Sequence, residues 1–183
     1  MLALTRSYSA KTQGFTLIEL MVVLALAAII ATFAAPSFQS SMARQKLNLA
    51  ASDLLVSATQ ARSEAIKNNR PAIVQPVTSD SDWSQGWRIY VDMDNSKTYN
   101  EGDFLVTTVP AAASSVKLYE TPTLDPNFIG FDANGFALGS NAGRIVFSSS
   151  ILGSAYRKGV VIARTGRARI CTTQPGSNGC TDD

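Results

Sequence analysis

From Phe15 to Ala35 the chain is apolar at nearly every position, and Glu19 is the one charged residue in the run. About 21 helical residues at 1.5 Å each cross the hydrocarbon of a bilayer, so this run predicts a membrane-spanning helix. Pro36 falls where that helix leaves the membrane, and an internal proline removes one backbone hydrogen bond and kinks or loosens the helix. From Ser37 to Asn69 the pattern stays helical. Met42, Leu49, Leu54, Leu55, Ala58, Ala61, Ala65 and Ile66 recur mostly at three- and four-residue steps, with Arg44, Lys46, Asp53, Arg62, Glu64 and Lys67 between them. Such a stripe is amphipathic and packs under a globular head, and Asn68-Asn69-Arg70-Pro71 stops it. The whole helix is expected to be roughly 80 Å long.

After Pro71 the period changes. Ala72–Gln75 is short and apolar, and Gly86–Asp92 alternates with Trp87, Ile89 and Val91 on one face. Further strands are expected at Phe104–Val109, Ser115–Tyr119, Phe128–Phe131, Arg144–Ser148, Gly159–Ala163 and Arg167–Cys171, separated by Gly, Pro, Asn and Asp. The fold class is therefore α+β: one long N-terminal helix packed on an antiparallel β-sheet head. At 183 residues the chain has room for one such domain plus the helix.

The formal net charge of +2 hides an uneven distribution. Thr78 to Asp132 carries nine acids against Arg88, Lys97 and Lys117, whereas Ala133 to Thr181 carries none against Arg144, Arg157, Lys158, Arg164, Arg167 and Arg169. That asymmetry suits an anionic partner. The plainer alternative is that the two halves neutralise each other on adjacent strands.

The stretch Gly14-Phe15-Thr16-Leu17-Ile18-Glu19-Leu20, behind a leader carrying Arg6 and Lys11, resembles the processing site of type IV prepilins and pseudopilins. The resemblance implies that a dedicated peptidase cuts between Gly14 and Phe15 on the cytoplasmic side and that the new amino terminus is methylated. The chain then divides into a leader (1–14), a transmembrane and filament-core half-helix (15–36), an amphipathic half-helix (37–70) and a β head (71–183). Loss of Arg6 and Lys11 leaves the mature chain with fourteen basic and fourteen acidic side chains. An ionised acid in mid-membrane costs roughly 2.5–3.5 kcal/mol, so Glu19 is a functional residue by default. The family assigns it the neutralisation of a neighbouring subunit's Phe15 amine during filament assembly. Positive residues before the span keep the leader inside and place the head in the periplasm, and later on the extracellular pilus.

Trp83-Ser84-Gln85-Gly86-Trp87, leading to Asp92-Met93-Asp94-Asn95, resembles the head of the FimT, FimU and general-secretion-pathway-H group of minor pilins. That implies a subunit near the pilus tip that joins major and minor pilins and primes assembly, or a pseudopilin of a type II secretion system. With no histidine there is no Ser-His-Asp triad, and neither a Gly-x-Ser-x-Gly elbow nor a phosphate-binding glycine loop is present. An enzyme is not expected, nor a cofactor. Asp92 through Asp103 has oxygen ligands enough to suggest calcium, but an EF-hand loop starting at Asp92 needs glycine where Lys97 stands; a hairpin loop with exposed acids, and no metal, is the expectation. Cys171 and Cys180, in an exported chain, favour a disulfide over a zinc site.

The arginines remain. If Thr165-Gly166 formed a two-residue turn, Arg164 and Arg167 would stand directly opposite each other with Arg169 on the same face, while Val161, Ala163, Ala168 and Ile170 lined the core face. Thr165 is the weak point, since a β-branched residue tolerates positive φ poorly. Gly166-Arg167-Ala168-Arg169 resembles the Gly-Arg-x-Arg motif of FimT-type minor pilins, which bind DNA during natural transformation. By that resemblance Arg167 and Arg169 contact the phosphates of double-stranded DNA, with Arg164, Arg157 and Lys158 as auxiliaries and no sequence preference. The alternative is a basic edge that docks on acidic neighbours in the filament.

Overall fold

A computed structural model describes residues 14–120, 127–139, 142–173 and 181–182. Helix α1 spans Leu17–Asn68 and contains Pro36. Among the described residues nine strands follow: β1 Ala72–Pro76, β2 Trp87–Val91, β3 Phe104–Val109, β4 Val116–Glu120, β5 Ile129–Phe131, β6 Gly143–Ser149, β7 Gly153–Ile162, β8 Ala168–Thr173 and β9 Thr181–Asp182, with a 3-10 turn at Trp83–Gln85 between β1 and β2. Two compact units result, residues 1–38 and residues 39–183.

In the first unit Thr16 caps the helix. Its Oγ1 accepts the Glu19 amide at 3.2 Å, one half of a Thr-x-x-Glu capping box, and the first-turn position of Glu19 also suits the positive end of the helix dipole. α1 is long and apolar enough to cross a membrane.

In the second unit every strand pairing is antiparallel. The sheet orders are β3-β2-β1-β5 and β4-β6-β7-β8-β9. The helix contributes Leu47, Ala50, Leu54, Ala58, Ala61 and Ala65 to a core shared with Val74, Trp83, Trp87, Ile89, Phe131, Ile145, Phe147, Val160 and Ile162. Alanines on that stripe let the sheets come close to the helix backbone. The expected stripe is corrected at three places: Met42, Leu49 and Ile66 are 40%, 55% and 52% exposed, while Ala43, Leu47 and Ala50 are buried instead. Inside the core, Trp87 Nε1 donates to Ser57 Oγ at 2.8 Å, and Ser57 Oγ donates to the Asp53 carbonyl at 2.7 Å. Both polar atoms are thereby satisfied.

The helix ends where expected, in a Schellman motif. Asn69 takes φ 49°, its amide donates to Ile66 O, and the Arg70 amide donates to Ala65 O. One strand was not expected: β9 pairs Cys171 with Asp182 and Thr172 with Thr181. That pairing puts β8, the strand of Ala168 to Thr173, inside the sheet rather than at its edge. Cys171 is buried and disulfide-bonded; Cys180 lies outside the described residues.

Candidate nucleic-acid interface

The turn between β7 and β8 is longer than two residues. The Gly166 amide donates to Ala163 O at 2.8 Å and the Ala163 amide to Arg167 O at 2.9 Å. Arg164, Thr165 and Gly166 therefore form a three-residue loop closed by Ala163 and Arg167, with the left-handed position on Gly166 at φ 77°. Positive φ falls on the one residue without a Cβ, and Thr165 is spared it. The extra residue corrects the predicted opposition: Arg164 lies in the loop and Arg167 faces Ala163.

The faces change with it, because a shift of one residue exchanges the two sides of a strand. Val160 and Ile162 are buried and carry the core face, while Val161 and Ala163 point the other way, against expectation. Ala168 packs on the core as expected. In register, Val161 stands between Arg144 of β6 and Arg169 of β8. The two arginines thus lie on one face, with strand axes about 10 Å apart. Arg144 was not among the expected contacts; its even spacing from Val146 and Ser148 was visible, but its pairing partner was not. Arg164 and Arg167 are exposed and Arg169 is half-buried.

Of the three auxiliaries, Arg157 and Lys158 separate. Arg157 shares the face of Arg169 but lies four residues along, about 13 Å away, and its guanidinium sits 3.7 Å over the Tyr119 ring. Lys158 stands on the opposite face, in register with Phe147 and Thr172.

What fixes the turn comes from elsewhere in the chain. Arg62 of α1 donates from Nε to Gly135 O at 2.9 Å and from Nη2 to Thr165 O at 3.2 Å. A Cβ on Gly166 would collide with the Gly135 carbonyl, and one on Gly135 would meet Ile66 Cδ1 at 2.8 Å. The Ala137 amide donates to Arg164 O at 3.0 Å. The glycine of Gly-Arg-x-Arg is thus required by the packing of two turns, and the motif's arginines inherit a fixed backbone.

The acids gather elsewhere. Asp92, Asp94 and Asp103, on the segment joining β2 to β3, bring carboxylate oxygens within 4.8 Å of one another. Each is occupied: Asp92 accepts the Ser96 and Lys97 amides, Asp94 accepts the Ser96 amide and Asn100 Nδ2, and Asp103 accepts the Met93 and Asn100 amides. Burial pushes the Asp92 carboxyl above its usual range, whereas hydrogen bonding from Ser96 holds Asp94 below it. Burial, then the Asp92 and Asp103 charges, push the Tyr90 phenol up. This group adjoins the first sheet, and Arg144, Arg157 and Arg169 lie on the second, so these three acids do not stand on strands adjacent to those arginines.

At the other end of the chain, Gly14 precedes the helix and Phe15 is 80% exposed.

A long N-terminal helix packed on antiparallel sheets is the type IV pilin fold. The solved type IV minor pilin FimU of Pseudomonas aeruginosa is similar with a TM-score of 0.57 at 20% identity, covering 75% of this chain and 94% of that one. A second crystal form of FimU gives 0.55 over 70% and 98%. Residues 50–166 match the family model of the type II transport protein GspH, and residues 9–35 match the prokaryotic N-terminal methylation motif. The chain belongs to the GspH family. The pilin-like protein PilA1 of Thermus thermophilus is 29% identical over 163 residues, 86% of this chain and 97% of that protein.

Proposed function

We propose that this GspH-family chain is a minor pilin that is cut between Gly14 and Phe15, methylated, held in the inner membrane by residues 15–36 and then drawn into a pilus near its tip. Its partners are the prepilin peptidase and the other major and minor pilins. Glu19 neutralises a neighbouring amine in the filament core, and Pro36 loosens the helix where it leaves that core. The head binds double-stranded DNA without sequence preference through Arg164, Arg167 and Arg169, with Arg144 beside them, for uptake in natural transformation. The observation that carries the DNA reading is the pair of exposed arginines on a turn whose backbone is fixed by Arg62 and Gly135. Guanidiniums on a rigid turn with no helix to enter a groove suit phosphate oxygens rather than base edges.

The test is a titration of full-length protein in detergent with duplex DNA across a salt series. Wild type is expected to weaken steeply with salt, and Arg167→Ala/Arg169→Ala to lower the salt slope by about 2. Equal affinities and slopes for the two proteins would leave the arginines without that role. The second reading, a purely structural adaptor or a type II secretion pseudopilin, is favoured by the GspH match over residues 50–166 and would then stand.

A further inference from the structure

Beside the arginine turn lies a second turn, Asp132 to Phe136. The Asp132 amide donates to Phe136 O, and the Asp132 carboxylate accepts the Asn134 and Phe136 amides, each at 2.9 Å. Its one acid is therefore spent on its own backbone. Gly135 packs on Gly166, and the Ala137 amide bonds to Arg164, so residues 135–137 run alongside the arginine loop. Within this rigid pair of turns Phe136 is 51% exposed, and Ile66, packed against Gly135, is 52% exposed. Two exposed apolar side chains thus sit on and beside the turn that adjoins the Arg164–Arg167 loop, with Arg62 bonded to a carbonyl of each turn.

An exposed aromatic ring on a turn next to a loop that carries exposed arginines matches a polyanion that also carries flat apolar faces. A duplex hides its base faces; a single strand or an opened duplex end offers them. We propose that Phe136 is a base-stacking side chain, and that the paired turns take unpaired nucleotides in preference to intact duplex. The inference rests on the DNA-binding reading above and narrows its substrate. Phosphates reach the arginines while one base lies on the Phe136 ring, a contact that is indifferent to base identity because every base has a π face. The backbone of Phe136 is already held by Asp132 at both its amide and its carbonyl, so stacking orders only a side chain.

The experiment compares fluorescence anisotropy of a labelled oligothymidylate and of a closed hairpin duplex against full-length protein in detergent. Phe136→Ala is expected to lose about tenfold in affinity for oligothymidylate, with an unchanged salt slope and unchanged duplex affinity. Phe136→Trp is expected to retain or exceed wild-type affinity. Equal loss on both DNAs, or no loss on either, overturns stacking while the phosphate reading stands, provided Arg167→Ala/Arg169→Ala still weakens both. If wild type binds neither DNA, the functional reading falls and this inference with it. An unchanged affinity for DNA, combined with weaker capture of a neighbouring pilin by Phe136→Ala, would assign Phe136 to filament contacts and overturn the proposal.

Discussion

Two charged segments of the head, the acid loop from Asp92 to Asp103 and the arginine turn from Ala163 to Arg169, solve opposite problems. In the acid loop the side chains hold the backbone: five amide donors make six hydrogen bonds to three carboxylates. In the arginine turn the backbone is held by outsiders, Arg62 of the helix and the Ala137 amide, and the Arg164 and Arg167 side chains stay exposed. Charge that is spent on local hydrogen bonds is structural; charge that is left facing solvent on a fixed backbone is available to a partner. Like-charged clusters of similar size therefore differ in what they can bind, and the difference lies in the hydrogen bonds rather than in the charge count.

The sharpest way to break the contrast is to remove the outside support. Gly166→Ala places a Cβ against the Gly135 carbonyl and at φ 77°. It is expected to cost about 2–4 kcal/mol of head stability, visible as a lower midpoint in urea. A variant as stable as wild type would mean that the glycine is not required by packing. Arg62→Ala comes next. It removes two hydrogen bonds to carbonyls from a half-buried guanidinium and is expected to cost about 1–2 kcal/mol. Amide exchange should quicken at Gly166 and Ala137 but not in the acid loop. Uniform acceleration across the head would show that Arg62 supports the whole domain and not the turns.

The long helix and its stop, the α+β class and most strands were readable because they rest on local chemistry: an apolar run, a three-to-four period, an asparagine free to take positive φ. Thr16-x-x-Glu19 also spelt out its capping box, a signal overshadowed by the rarity of an acid in an apolar run. What could not be read was register. The third loop residue at Gly166 follows from a contact with Gly135, far away in sequence, and without it Val161 and Val160 exchange faces. Arg144 joins Arg169 only through the β6–β7 pairing. β9 is too short to leave a period.

The smallest effect concerns the acid loop and turns on sign. Asp92 has its pKa raised from 3.8 by burial, so folding favours its protonated form. Its contribution is full below 3.8 and is lost as pH rises through the raised value. Asp94, lowered from 3.8 by its Ser96 hydrogen bonds, does the reverse: its contribution is present above 3.8 and is lost as pH falls through the lowered value. Asp92→Asn keeps one acceptor oxygen for an amide and gives up the buried charge, so at neutral pH it should stay within about 1 kcal/mol of wild type. Melting temperatures taken from acid to neutral pH should show Asp92→Asn gaining on wild type as pH rises and Asp94→Asn losing ground. Parallel curves for the two variants would mean that the loop's hydrogen bonds treat both acids alike, and the internal division of labour that separates this loop from the arginine turn would be lost.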